Sequence, residues 1–137
     1  MISFMSHFLP SCHVSPHYRR LLDELGPEHP LRRTVDPLDD RSPTAGELAD
    51  PLGEEVHSPC PGLVHTYPDK VLLLVTLDCA THCQYCTRGR MVNQGMQVSA
   101  SKSEMLTRWI QVLGEQSDVR DVLISGGDPL VLSDDEL

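Results

Sequence analysis

The sequence is short of basic residues and has no long apolar run. Lysine and arginine number 11 against 20 aspartates and glutamates, which gives the 137-residue chain a formal net charge of -9. Such an acidic chain is a poor electrostatic match for nucleic acid or for anionic lipid. Its longest strongly apolar run, residues 71–75, is far shorter than the roughly 20 residues that span a bilayer. We therefore expect no nucleic-acid partner and no membrane partner.

A leader peptide and a disulfide framework are also missing from the pattern. The N-terminus has no basic segment and no clear cleavage site. Three of the five cysteines are clustered in one short stretch. Such clustering fits a metal site in a reducing compartment better than paired disulfides. These features predict a cytoplasmic protein.

The first half of the chain predicts one helix and then a proline-rich arm. Ser15 and Pro16 are typical of a helix N-terminus, and Gly26 is typical of the end of a helix. Residues 27–69 are rich in proline, and no hydrophobic period runs through them. We therefore expect residues 1–69 to form a helical and extended N-terminal arm that lies over another domain.

The second half of the chain predicts an α/β fold. Residues 71–76 and 121–125 are continuous apolar runs, which are typical of strands buried on both faces. Between them, Ser101 and Glu104 form a capping-box pattern ahead of a helix whose apolar residues recur at helical spacing. The order strand, helix, strand predicts a βαβ unit with parallel strands over residues 70–137.

The clearest chemical signal is a triplet of cysteines after the first of these strands. Cys79, Cys83 and Cys86 have C-x3-C-x2-C spacing. Three thiolates can hold three irons of a four-iron cluster and leave the fourth iron open to a substrate or cosubstrate. A closed zinc site needs four ligands, and His82 adjoins Cys83, so both side chains would bind the same ion only awkwardly. A zinc site and metal-free thiols are the alternative interpretations.

A glycine-rich turn follows the second predicted strand. Gly126 and Gly127 allow the backbone to approach a ligand closely, and Asp128 offers a carboxylate to an ammonium group. Taken alone, this turn is weak evidence for a site. In a parallel sheet, however, the carboxyl ends of neighbouring strands meet at one edge, so we expect the turn beside the cysteine loop. Tyr85 either packs on an adenine ring or fills the core.

Together these motifs resemble the radical S-adenosylmethionine superfamily and, more closely, the lysine 2,3-aminomutase family. The resemblance lies in residues 50–76, 86–90 and 119–128, and it extends from about Val14 to the end of the chain. It implies that residues 70–137 begin a partial (β/α) barrel. It also implies an isomerase that moves an amino group of an amino acid from the α to the β carbon. The cofactors of that reaction are a [4Fe-4S] cluster, S-adenosylmethionine and pyridoxal phosphate.

The resemblance assigns roles to individual residues. The cluster would be held by Cys79, Cys83 and Cys86, and S-adenosylmethionine would be contacted by Tyr85, Gly126, Gly127 and Asp128. Arg88 matches an arginine that clamps the substrate carboxylate, a task that suits a planar guanidinium. Tyr67 matches a tyrosine near pyridoxal phosphate. Thr66 and Lys70 stand where the family usually has arginine, and this difference affects the cofactor-phosphate contact or the exact substrate. The substrate stays open between lysine, glutamate and arginine, because the acids that would bind a lysine side chain are absent from this sequence.

The resemblance also implies partners for the full-length protein and the absence of its C-terminal part from this sequence. An amino acid would be the substrate, a flavodoxin or ferredoxin would donate electrons, and the full-length parent would be a homo-oligomer. The pyridoxal-binding lysine and the substrate-binding acids of the family lie beyond residue 137. We therefore expect an N-terminal fragment, truncated within the barrel, that has no mutase turnover alone. The alternative from another class is a non-catalytic module that binds an iron–sulfur cluster or zinc.

Overall fold

A computed structural model describes residues 13–36, 48–92 and 101–137 of the chain. The rest of the predicted arm, residues 1–12 and 37–47, lies outside the described residues. The elements in chain order are helix α1 (Pro16–Leu25), a 3-10 helix (Pro30–Thr34), strands β1 (Leu63–Tyr67) and β2 (Lys70–Thr76), helix α2 (Lys102–Gly114), strand β3 (Asp121–Gly126) and a 3-10 turn (Pro129–Val131). Among the described helices, none has the length and apolar character needed to cross a membrane.

Helix α1 begins and ends where the sequence indicates. The Ser15 side chain accepts a hydrogen bond from the Tyr18 amide at 3.3 Å, and Pro16 occupies the first helical position. Gly26, with φ at +89°, follows the last turn, and its amide donates to the Leu22 carbonyl at 3.2 Å. The side chain of Leu22 is fully buried. Local capping chemistry therefore sets both ends of this helix.

The strands form one mixed sheet in the order β1-β2-β3. Strand β1 is antiparallel to β2, with Leu63 opposite Leu73. Strand β2 is parallel to β3, with Lys70 opposite Asp121. Helix α2 lies between these two strands in the chain and begins with the predicted capping box. The α/β class and the parallel βαβ order are therefore confirmed.

Strand β1 was not expected, because prolines on both sides obscure its five residues. Its pairing with β2 means that the sheet crosses the predicted boundary between residues 69 and 70. The division into an arm and a barrel portion stays a prediction.

The main hydrophobic cluster lies between the sheet and helix α2. It consists of Cys60, Leu63, Val71, Leu73 and Trp109. The Trp109 indole N–H donates a hydrogen bond of 2.8 Å to the Pro61 carbonyl. This bond satisfies the one polar group of a buried indole and anchors the helix to the sheet.

The prediction that the second parallel strand is buried on both faces is wrong. Val122, Leu123 and Ile124 of β3 are 47%, 48% and 52% exposed. Strand β3 is the edge of the described sheet, so only β2 pairs with it. An apolar run identifies a strand, but the number of neighbouring layers determines how much of that strand is buried.

Candidate metal centre

The three clustered cysteines lie in the loop that follows the central strand β2. In the parallel pairing, Thr76 at the end of β2 lies opposite Gly126 at the end of β3. The cysteine loop and the glycine-rich turn therefore leave the sheet at the same edge. The structure brings the two motifs together, as the order of the elements predicts.

Two backbone hydrogen bonds join the glycine-rich turn to the start of the cysteine loop. The Gly127 amide donates to the Thr76 carbonyl at 2.7 Å, and the Asp128 amide donates to the Asp78 carbonyl at 2.7 Å. A Cβ atom on Gly126 would lie 2.0 Å from the Thr76 oxygen, and one on Gly127 would lie 2.2 Å from the Asp78 oxygen. These two backbones approach too closely for any side chain, so both positions require glycine.

The Asp128 carboxylate already has one backbone partner. Its Oδ1 atom accepts a hydrogen bond of 3.0 Å from the Leu130 amide and so caps the following 3-10 turn. No described residue donates a hydrogen bond to the second oxygen, Oδ2. The negative charge of Asp128 also helps to raise the pKa of Cys79. This carboxylate therefore lies near the thiols and retains an acceptor for an ammonium group.

The thiols of the loop are close enough to affect one another. Burial, followed by the charges of Cys86 and Asp128, raises the pKa of Cys79 to about 11. Burial and then Cys86 also raise the pKa of Cys83. Both shifts have the same causes, which are burial and neighbouring acidic groups. A bound cation would favour the thiolate forms of these cysteines.

The described residues contain no group of three histidine, cysteine, aspartate or glutamate side chains placed to hold a single metal ion. In a four-iron cluster each thiolate binds a different iron atom, so the sulfur atoms do not have to converge on one point. Thiolates are also the ligands that iron–sulfur clusters use most. The donor set therefore fits a multi-iron cluster.

Two ring side chains of the cysteine loop differ in exposure, since His82 is buried and Tyr85 is exposed. His82 is 7% exposed, and its ring centroid lies 5.1 Å from that of His13. Tyr85 is 70% exposed. The interpretation of Tyr85 as a residue that fills the core is therefore wrong, whereas its contact with adenine stays a prediction.

Arg88 is bonded to Glu54, a residue that sequence reasoning did not single out. Its Nε atom lies 3.0 Å from both carboxylate oxygens of Glu54, and its Nη2 atom lies 2.5 Å from Oε1. Glu54 is 5% exposed, and the Arg88 side chain is 18% exposed. The predicted carboxylate clamp thus already holds one internal carboxylate through one edge of its guanidinium. Its Nη1 atom bonds to none of the described residues.

A second arginine joins the same two segments. The Nη2 atom of Arg90 lies 3.1 Å from Oδ1 of Asp50, and its Nε atom donates to Oε1 of Glu55 at 3.1 Å. The Asp50 contact is an ion pair without hydrogen-bond geometry, since neither atom has a hydrogen-bond partner in the described part of the chain. Residues 50–55 therefore hold the end of the cysteine loop through three ion pairs, one with Arg88 and two with Arg90.

We predict that Glu54→Gln destabilises the chain by about 2–3 kcal/mol, because it leaves the Arg88 charge without its buried partner. The 18% exposure of Arg88 keeps this loss below that of a fully buried pair. Urea unfolding of the cluster-free chain measures the change. Glu55→Gln is the matched control, since this carboxylate is 72% exposed and its loss should cost at most about 0.5 kcal/mol. Equal losses in the two variants would contradict the prediction.

Tyr67 lies at the other end of the sheet. It ends β1 and pairs with Lys70, the first residue of β2, whereas the cysteine loop follows the last residue, Thr76. A strand rises about 3.3 Å per residue, so roughly 20 Å separates the two ends. The ring is 62% exposed, and the Lys70 ammonium lies 6.0 Å from its centroid. The structure does not bring Tyr67 to the cysteine loop, and its contact with pyridoxal phosphate stays a prediction.

Comparisons with known proteins match these features. A family model described as a 4Fe-4S single cluster domain matches residues 68–137. The chain is 41% identical over 125 residues to the L-lysine 2,3-aminomutase of Acetoanaerobium sticklandii, covering 90% of the chain and 30% of that protein. It is 42% identical over 123 residues to the L-lysine 2,3-aminomutase of Bacillus subtilis, covering 88% and 26%. It is 35% identical over 124 residues to the glutamate 2,3-aminomutase of Clostridioides difficile, covering 90% and 29%. The chain thus spans less than a third of the length of these relatives.

Proposed function

Because the chain belongs to the 4Fe-4S single cluster domain family and resembles lysine 2,3-aminomutases over 90% of its length, we propose that it forms the cluster-binding part of a radical S-adenosylmethionine aminomutase. One observation carries this proposal. The parallel pairing of β2 with β3 places the cysteine loop and the glycine-rich turn at one edge, joined by two hydrogen bonds of 2.7 Å. In this proposal the sheet is the start of a partial (β/α) barrel.

In this function Cys79, Cys83 and Cys86 hold a [4Fe-4S] cluster. When bound and reduced, the cluster supplies the electron that cleaves the sulfonium of S-adenosylmethionine, and pyridoxal phosphate carries the migrating amino group. The chain contributes three thiolates from a single loop, so that one iron has no protein ligand.

The glycine-rich turn holds the amino group of S-adenosylmethionine. Gly126 and Gly127 let the turn lie directly against the backbone of Thr76 and Asp78, and Oδ2 of Asp128 is an acceptor that no described residue uses. Tyr85 offers an exposed ring to the adenine. These groups bind and orient the cosubstrate beside the open iron.

The substrate is an amino acid whose carboxylate binds Arg88. The Nη1 atom of Arg88 is available for this contact, while Glu54 holds the opposite side of the guanidinium. We favour lysine, because the two lysine enzymes named above, at 41–42% identity, are more similar to this chain than the glutamate enzyme of Clostridioides difficile, at 35%. Tyr67 would meet pyridoxal phosphate, with Lys70 beside it.

The remaining proposals concern the whole protein. It would be a cytoplasmic homo-oligomer that receives electrons from a flavodoxin or ferredoxin. The 137-residue segment alone would have no mutase turnover, because it spans less than a third of the length of the aminomutases that it resembles. The apolar side chains of β3 also stand half exposed at the edge of the described sheet.

Metal analysis followed by spectroscopy tests this function. We expect about four iron and four sulfide atoms per chain after anaerobic reconstitution. We also expect the electron paramagnetic resonance spectrum of the dithionite-reduced cluster to change when S-adenosylmethionine is added, with slow release of 5'-deoxyadenosine. One zinc per chain without sulfide would support a zinc module and overturn the proposal. A cluster whose spectrum does not change when S-adenosylmethionine is added would indicate a non-catalytic iron–sulfur module and overturn the proposal.

A further inference from the structure

We propose that the N-terminal segment of residues 13–36 is a structural part of the cluster site, and that Thr81 and Gln84 are positioning residues through which this segment holds the cysteine loop. The inference rests on the proposed role of the cysteines and adds the residues that set the shape of their loop. The segment lies outside the range that the family model matches, which begins at residue 68.

Thr81 joins the first half of the loop to the start of helix α1. It lies between Cys79 and Cys83, and its hydroxyl accepts a hydrogen bond of 3.2 Å from the Ser15 amide. The same hydroxyl lies 3.3 Å from the Ser15 hydroxyl, and the backbone of Thr81 forms an isolated antiparallel bridge with Val14. Since Ser15 also caps α1, one residue serves both the helix and the loop.

The next residue continues this contact. The His82 amide donates a hydrogen bond of 2.8 Å to the His13 carbonyl, and the two rings lie side by side. His82 is 7% exposed, whereas His13 is exposed. The bond is still costly to break, since the amide of a buried residue would then lack a partner.

Gln84 joins the second half of the loop to the end of the segment. Its amide donates to the Thr34 carbonyl at 2.7 Å, and its side-chain Nε2 donates to the Val35 carbonyl at 2.8 Å. Thr34 ends the 3-10 helix, and its hydroxyl lies 3.1 Å from the Tyr18 hydroxyl of helix α1. Helix α1 and the 3-10 helix therefore act on the loop as one unit.

The contacts with the N-terminal segment involve the residues between the cysteines and not the three thiols, which remain able to bind a cluster. The residues at 81, 82 and 84 turn to the N-terminal segment, while the cysteines at 79, 83 and 86 make no comparable contact with it. A loop that is already ordered loses less conformational entropy when it binds a cluster. The segment thus slows the escape of iron by keeping the thiolates in place.

Thr81→Val in the full chain tests this proposal, because valine keeps the size of threonine and removes the hydroxyl. We expect iron to be released to a chelator roughly tenfold faster, as fits the loss of hydrogen bonds of ordinary strength. Thr81→Ser keeps the hydroxyl and should restore slow release. Thr107→Val is the matched control, since its hydroxyl bonds only to the Ser103 carbonyl on the exposed face of α2, and it should release iron at the wild-type rate.

Amide hydrogen exchange of the cluster-free chain provides a readout that does not depend on iron. We expect the His82 and Gln84 amides to be protected in the wild-type chain and to exchange several-fold faster in Thr81→Val. If Thr81→Val fails to fold, Gln84→Met replaces it, since methionine keeps the side-chain length but removes the donor to Val35; faster iron release is again expected.

The outcomes separate this inference from the proposed function. A wild-type chain that binds no cluster would overturn the function, while the exchange of the two amides would still test the positioning role. A wild-type chain that binds a cluster, with variants that release iron at the wild-type rate and protect both amides equally, would overturn the positioning role alone.

Discussion

Alanine at Cys79, Cys83 or Cys86 is expected to reduce iron and sulfide after anaerobic reconstitution to background levels. In the proposed cluster each thiolate would bind a different iron, so the loss of one would leave an incomplete set of ligands. Burial raises the pKa of the Cys79 and Cys83 thiols. With one thiolate removed, the two that remain could hold only two of the irons, so the cluster should not assemble. Iron and sulfide analysis, together with the visible absorbance of the reconstituted chain, measures the effect.

Cys60→Ala is the control for this experiment. Cys60 is 6% exposed and packs in the cluster between the sheet and helix α2, away from the loop sequence. Its replacement removes one sulfur atom from the core and should cost about 1 kcal/mol of stability while iron loading stays full. A loop variant that retains full iron, or a Cys60→Ala chain that loses it, would contradict the assignment of the ligands.

Gly126→Ala is expected to destabilise the cluster-free chain by more than about 3 kcal/mol. The new Cβ would lie 2.0 Å from the Thr76 oxygen, and the residue has φ at +136°, a conformation that side chains rarely adopt. The clash is with backbone, so no flexible side chain can move to relieve it. The turn would have to separate from β2 and break the hydrogen bond between the Gly127 amide and Thr76. Urea unfolding measures the loss.

Gly114→Ala is the matched control, because the same methyl group would meet nothing within 4 Å there. Gly114 is the last residue of helix α2, where alanine is expected to add roughly 0.5–1 kcal/mol of stability. The two variants should therefore shift the unfolding midpoint in opposite directions. A Gly126→Ala chain as stable as the wild type would show that the turn is not pressed against the cysteine loop.

Local sequence signals predicted the helices and the two parallel strands well. Ser15 with Pro16, and Ser101 with Glu104, are capping patterns that act within a few residues, and the structure has both helix starts at these sites. Strands β2 and β3 follow from apolar runs of ordinary strand length. Strand β1 was missed because the prolines around it interrupt the pattern on which such predictions depend.

Burial and pairing were less predictable than the elements themselves. The sequence of β3 is as apolar as that of a buried strand, yet its position at the edge of the sheet leaves it half exposed. The sequence predicts that Arg88 binds the substrate carboxylate, but it does not indicate Glu54 as its partner, because the two residues lie 34 positions apart in the chain. No periodicity or spacing relates such residues.

The sequence by itself determined which residues are the candidate metal ligands of this protein. The spacing of Cys79, Cys83 and Cys86 and the two glycines after the next strand are short-range patterns, because ligand type and backbone freedom belong to the residues themselves. Only the tertiary structure decided what holds these groups in place. Thr81 meets Ser15 across 66 positions of the chain, and such contacts depend on how the N-terminal segment packs against the edge of the sheet. Contacts between residues far apart in the sequence therefore hold the cysteine loop against the N-terminal segment.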